Sequence, residues 1–239
     1  MRINSISGLS QYIIDGRVIT IFGEYHDDRR KCYGNSISIS EFCETRVTSN
    51  EYVRFLLEYN ENMTEVQGKG YGSEPVRHVF NSAKHSPMRL RTTGVDLRLD
   101  YLTMLQQQSL YHMSMGFSPR DFARIYSSKK KIGSVLNHTV CGDYEKLLDQ
   151  YILRVDKFFE DHKDNGSLED MQWGWSFLMD YGILWEFTRT DIYSNEIIAV
   201  VGENHRLNLN NILTKWRVEK ISEYEKCVDV NDVVVPLDI

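Results

Sequence analysis

Two stretches of this chain close an apolar run with the same four-residue pattern. "VITIFGEYHDD" (residues 18–28) contributes Gly23, Glu24 and His26, and "IIAVVGENHRLN" (197–208) contributes Gly202, Glu203 and His205. Glycine at a strand end permits positive φ or close approach of a ligand to the backbone. Glutamate and histidine just after it are oxygen and nitrogen donors for a divalent metal, or a general acid and base. One Gly-Glu-x-His alone reads equally well as a turn with a solvated tail. Two copies, each after an apolar run and before a polar helical stretch, read as one site.

In open α/β sheets, ligands sit beyond the carboxyl ends of parallel strands. If the strands that carry the motifs lie parallel, their ends share a cleft, and other strand ends join it. Glu58 closes "RFLLEY" (54–59), and Asp96 and Arg98 alternate along "GVDLR" (94–98). Glu58 would orient a histidine or share a metal, provided its strand runs parallel to the first. Arg98 would stabilise developing negative charge. The plainer alternatives are a solvated strand end for Glu58 and a structural salt bridge for Asp96 with Arg98.

These residues need strands and helices to hold them. Runs rich in Val, Ile and Leu predict buried strands at 17–23, 51–60, 94–99 and 196–202, with a fifth at 217–224. Between them, "SISEFCETR" is a helix candidate, and "SEPVRHVFNSAKH" starts one with Ser73 as N-cap and Pro75 in the first turn. No strand is predicted from 100 to 193. There "DYEKLLDQYILRVDKFFEDH" puts Leu148, Ile152, Val155 and Phe159 on one helical face, and Ser167 with Asp170 opens a further helix in capping-box fashion. The predicted fold is a single α/β domain over residues 1–239. A central, mostly parallel sheet is flanked by helices, with a helical insertion at about 100–193 between the strand-rich N- and C-terminal parts. The final "VDVNDVVVPLDI" is an edge strand or a packed tail.

Bulk properties narrow the function classes. The 239 residues are 41% hydrophobic and 26% charged, as in ordinary globular domains. A net charge of -6 with no basic stripe argues against nucleic acid as a partner. Cys32, Cys43, Cys141 and Cys227 form no CxxC pair, which argues against a structural zinc site and a disulfide framework and for a reduced, cytoplasmic setting. No signal peptide and no membrane segment or membrane partner is expected. The chain has no P-loop, dinucleotide fingerprint, nucleophile elbow or HExxH.

The paired motifs resemble those of the superfamily that contains erythromycin esterase, the ChaN haem-binding lipoprotein and the TraB/Tiki proteins. "FGEYHDD" is similar to the ChaN-type start, "FLLEYN" to the second strand with its terminal glutamate, and "VVGENH" to the second Gly-x-x-His. The resemblance covers both strand-rich ends and not the helical middle. It implies a mostly parallel sheet with a cleft where the motifs converge. Esterases of this kind use Glu and His to activate water, Tiki-type members are manganese- or cobalt-dependent proteases, and ChaN-type members bind haem.

The expectation is therefore a hydrolase, peptidase-like or esterase-like, acting on a small molecule or a peptide. Its catalytic set is Glu24, His26, Glu58, Arg98, Glu203 and His205. A divalent metal (manganese, cobalt or zinc) would take ligands from His26, His205, Glu24 and Glu58; haem is less favoured. The alternatives are a non-catalytic ligand- or haem-binding protein of the same fold, or an interaction scaffold that retains the cleft. A homodimer is among the partners considered.

Overall fold

The computed structural model describes residues 1–24, 32–49, 52–59, 76, 79, 92–98, 100–101, 103–104, 118–132, 142–162, 166–189 and 194–236. The chain divides into two compact units. One is discontinuous and joins Met1–Val95 to Ile192–Ile239; the other is Asp96–Asp191.

Among the described residues, the discontinuous unit is built on a six-stranded sheet. Its strands are β2 (Gly8–Ile14), β3 (Arg17–Glu24), β5 (Val53–Leu57), β6 (Thr92–Gly94), β7 (Glu196–Gly202) and β8 (Glu219–Glu225). Two-residue strands β1 (Arg2–Ile3) and β4 (Ser36–Ile37) pair separately. The sheet order is β6-β5-β7-β3-β2-β8. β6, β5, β7 and β3 run parallel, whereas β2 is antiparallel to both β3 and β8. The sheet is thus mixed, an antiparallel pair having been added at one side of a parallel block.

The local reasons are legible in the residues. β2 and β3 are joined by Asp15 and Gly16, both at positive φ (52° and 74°). That is the backbone of a two-residue hairpin turn, whose twist matches the flanking strands. β3 and β7 are buried along their whole length, as central strands covered on both faces must be. One face carries Phe22, Phe55, Leu57, Ile198 and Val200, packed with Ile39 and Phe42 of α1 (Ile39–Ser49). Phe22 and Phe42 meet edge to face, with centroids 5.4 Å apart. α1 opens with a capping box, since Ser38 Oγ accepts from Glu41 N while Glu41 Oε2 accepts from Ser38 N.

Two expectations shift here. The strand expected at 94–99 occupies Thr92–Gly94 instead, so Asp96 and Arg98 lie beyond it. The strand expected at 51–60 is the shorter β5, which leaves Glu58 one residue past its end; it does run parallel to β7. The C-terminal segment is a packed tail with a 3-10 turn (Val230–Asp232), and Val228 and Val233 are buried in the core.

The cysteines also correct the sequence reading. Cys32 and Cys227 form a disulfide across 195 residues, with Cα atoms 5.5 Å apart. Neighbouring backbone bonds stitch the same place, from Ile3 N to Val228 O (2.9 Å) and from Lys226 N to Ser7 O (3.0 Å). Spacing alone could not foretell the pair, because the fold brings the two cysteines together. Cys43 is a free, buried thiol.

The second unit is helical among its described residues. It contains α2 (Pro119–Ile132), α3 (Gly142–His162) and α4 (Leu168–Thr188). The expected box at Ser167 is present: Ser167 Oγ accepts from Asp170 N, and Asp170 Oδ2 accepts from Ser167 N. The unit's core is aromatic, with Tyr101 against Phe122 at 5.5 Å and Tyr126 against Trp185 at 5.7 Å. Residues 178–189 of α4 and its C-cap are buried on every side, the behaviour of a helix that is apolar nearly all round. Among the described residues no helix is long and apolar enough to cross a membrane.

Candidate functional site

The carboxyl ends of three adjacent parallel strands bring the site together. Glu24, the last residue of β3, is paired in register with Gly202, the last residue of β7. Leu57, the last residue of β5, pairs with Val200 on the other side of β7, and Glu58 follows it. Adjacent strands lie about 4.8 Å apart, so Glu24 and Glu58 flank the end of β7 at about 10 Å from each other. Both are buried, 1% and 4% exposed respectively.

β7 turns directly into α5 (Glu203–Lys215), with Gly202 as N-cap and no side chain of its own to cap the helix. The missing cap comes from a distant part of the chain. Glu58 Oε2 accepts a 2.6 Å hydrogen bond from Gly202 N. A carboxylate at this end also complements the positive end of the helix dipole. The other oxygen, Glu58 Oε1, stands 4.0 Å from His205 Nε2 in the first turn of α5. His205 is itself 8% exposed. One carboxylate thus caps the helix and faces an imidazole that the same helix carries.

Glu203 is engaged elsewhere. Its Oε1 accepts from Arg206 Nη2 at 2.6 Å, and its Oε2 accepts from Arg206 Nε at 2.8 Å and from Ser7 Oγ at 2.6 Å. Arg206 Nη1 donates to Ser10 Oγ at 2.8 Å. Burial would lower the guanidinium's affinity for its proton, but the Glu203 carboxylate, helped by Glu223, raises it overall. Further along α5, Tyr12 donates from its hydroxyl to Asn210 Oδ1, and burial pushes that phenol up to about 12. Glu203, Arg206 and Asn210 lie three and four residues apart, on one side of the helix. His205 is turned about 100° from Arg206 and about 200° from Glu203 around the axis.

Of the expected residues, the structure brings Glu24, Glu58 and His205 to the strand ends. Glu203 joins the ion pair with Arg206. Asp96 and Arg98 belong to the second unit, where Arg98 Nε and Nη2 each donate to Asp96 at 2.7 Å. This is the salt bridge that their alternation in the sequence allowed. His26, two residues beyond Glu24, lies outside the described residues. Ser7, Ser10 and Arg206 were not singled out from the sequence. Only Arg206 carried a signal, its i, i+3 spacing from Glu203; Ser7 and Ser10 reach the pair across 196 residues of chain and carried none.

Among the described residues no group of three or more His, Cys, Asp or Glu is placed to hold a metal ion. Glu58 and His205 offer one carboxylate and one imidazole, two donors where a zinc site takes three or four from the protein. The second unit has a separate cavity of about 450 Å³ lined by Arg120, Asp121, Arg124, Asp149 and Tyr181. None of the expected site residues that the structure describes is among these lining residues.

No family model matches this chain, and no curated protein and no solved structure matches it.

Proposed function

We propose that the chain is a hydrolase whose reacting centre lies at the carboxyl ends of β3, β5 and β7, of the kind that the Gly-Glu-x-His resemblance implies. The observation that carries this reading is Glu58 with His205. A buried carboxylate whose orientation is fixed by a backbone N–H faces an imidazole 4.0 Å away. At that distance the two are not hydrogen-bonded, and the carboxylate acts through its charge, which stabilises the imidazolium that forms when the ring takes a proton from water. Glu24 adds a second buried carboxylate at the same level of the sheet. His26 enters from the sequence as the first motif's counterpart of His205. The substrate class is a small ester or a peptide.

The test is hydrolysis of p-nitrophenyl esters and of a fluorogenic peptide set, with and without manganese, cobalt or zinc. The variants are His26→Ala, His205→Ala and Glu58→Gln. Removing a general base costs about 100-fold or more in rate, so each histidine variant should fall by at least that while keeping its cooperative melt. A His205→Ala protein that hydrolyses as fast as the wild type would overturn the proposal. Activity seen only with added metal would make the histidines candidate ligands in place of bases, because a ring nitrogen bound to a metal has no lone pair left to take a proton.

A further inference from the structure

The glycine of the first motif serves the glutamate of the second. Gly23 and Gly8 are cross-strand partners in the β2–β3 pair. A Cβ on Gly23 would collide with Glu203 Oε2 and stand 2.9 Å from Arg206 Cδ. A Cβ on Gly8 would stand 2.8 Å from both Arg206 Cζ and Arg206 Nη2. Real Cβ atoms essentially never come that close to a heavy atom, and neither neighbour can give way easily, because each is held by several hydrogen bonds. The two glycines therefore form one socket in the sheet, and the Glu203–Arg206 pair fills it.

We infer that Arg206 is a positioning residue for His205. Glu203, Arg206 and Asn210 fasten one side of α5 to Ser7, Ser10 and Tyr12. They fix how far the helix is rotated about its own axis. His205 sits next to Arg206 in the chain and projects from a different side, toward Glu58. A helix with its side chains has a radius of about 5–6 Å, so a rotation of about 20° would carry the imidazole roughly 2 Å. That is enough to undo a 4.0 Å relationship with Glu58. Apolar burial of Leu209, Ile212 and Leu213 holds α5 on the sheet, but apolar contact is non-directional and sets rotation poorly. Directional bonds from the sheet side set it well: Ser10 accepts from Arg206 Nη1 and Ser7 donates to Glu203 Oε2, while the bidentate pairing of Arg206 with Glu203 joins the two anchors into one unit. The catalytic consequence of this arrangement rests on the hydrolase reading; the arrangement itself does not.

The experiment reads the imidazole and needs no substrate. The full chain is labelled with 15N-histidine, and His205 is assigned among the seven histidines by comparison with His205→Ala. In the wild-type background Glu58→Gln displaces the His205 ring-nitrogen resonances, because the facing carboxylate has lost its charge. The same substitution is then made in a Glu203→Leu/Arg206→Met background, which removes both charges together and leaves no buried ion alone. The expected result is that the displacement falls to less than half, while circular dichroism and a cooperative melt show the fold retained. An undiminished displacement in the folded double variant overturns the proposal. Should that variant not fold, Ser7→Ala/Ser10→Ala removes both of these hydrogen bonds to the Glu203–Arg206 pair and no charge; an undiminished displacement there overturns it equally. Gly23→Ala should reproduce the loss by closing the socket. If no hydrolysis is ever found but the displacement is lost, the positioning role stands and the hydrolase reading falls.

Discussion

Glu58 Oε2 and the backbone N–H of Gly202 are joined by a 2.6 Å hydrogen bond across 144 residues of chain. The bond couples the end of β5 to the start of α5, so the residue read as a catalytic carboxylate is also the cap of the helix that carries His205.

Glu58→Ala should therefore destabilise the protein as well as inactivate it. Losing a buried hydrogen bond to a charged group costs roughly 2 kcal/mol, which urea denaturation resolves. Glu58→Gln keeps an acceptor for Gly202 N and should retain most of the stability while losing the charge that faces His205. Equal melting of Glu58→Ala and the wild type would mean that the cap contributes nothing.

The Cys32–Cys227 disulfide closes a loop of 195 residues. In the chain-entropy account, a crosslink of that span lowers the free energy of the folded relative to the unfolded chain by about 5 kcal/mol. Dithiothreitol, or the Cys32→Ser/Cys227→Ser pair, should shift the urea midpoint down by a corresponding amount, and non-reduced peptide mapping should find the two cysteines in one crosslinked fragment. Cys43 should resist alkylation until the protein unfolds, because burial pushes its thiol pKa up and shields it. A midpoint indifferent to reductant would argue that the bridge is dispensable.

Acid should expose the cap of α1. Hydrogen bonds from the backbone and side chain of Ser38 hold the Glu41 carboxyl below its ordinary 4.5. The sign follows directly: a folded-state value below the unfolded one gives stability that is complete above about pH 4.5 and is lost as pH falls through the folded value. The melting temperature of the wild type should exceed that of Glu41→Gln by a constant amount between pH 5 and 7, and the gap should close on further acidification. A gap that stays open at pH 3 would show that the charge is not its source.

The sequence carried the parallel block well. β3 and β7 read as strands because their apolar runs are continuous, and continuity is what burial on both faces demands. The box at Ser167 and Asp170 was equally plain, since its partners lie three residues apart. β2 was missed although Asp15-Gly16 stood between two apolar runs as a hairpin signal. The position of Glu58 just past the end of a parallel strand was legible from the apolar run before it. The socket of Gly8 and Gly23 was not, because it depends on which strands become neighbours. The disulfide was hidden for the same reason. Features fixed by near neighbours in sequence were readable, and features fixed by neighbours in space were not.

β7 lies between β3 and β5, pairing with both. During synthesis those two strands leave the ribosome early, yet each has an open edge until residues 196–202 arrive. The intervening unit, contiguous from Asp96 to Asp191, has been made in full by then. Unpaired strand edges are templates for association with other chains, and nascent chains that expose them are prone to aggregate. A pause in synthesis before β7 should therefore favour aggregation more than a pause after it, and a chaperone that shields strand edges would have its longest task in that interval.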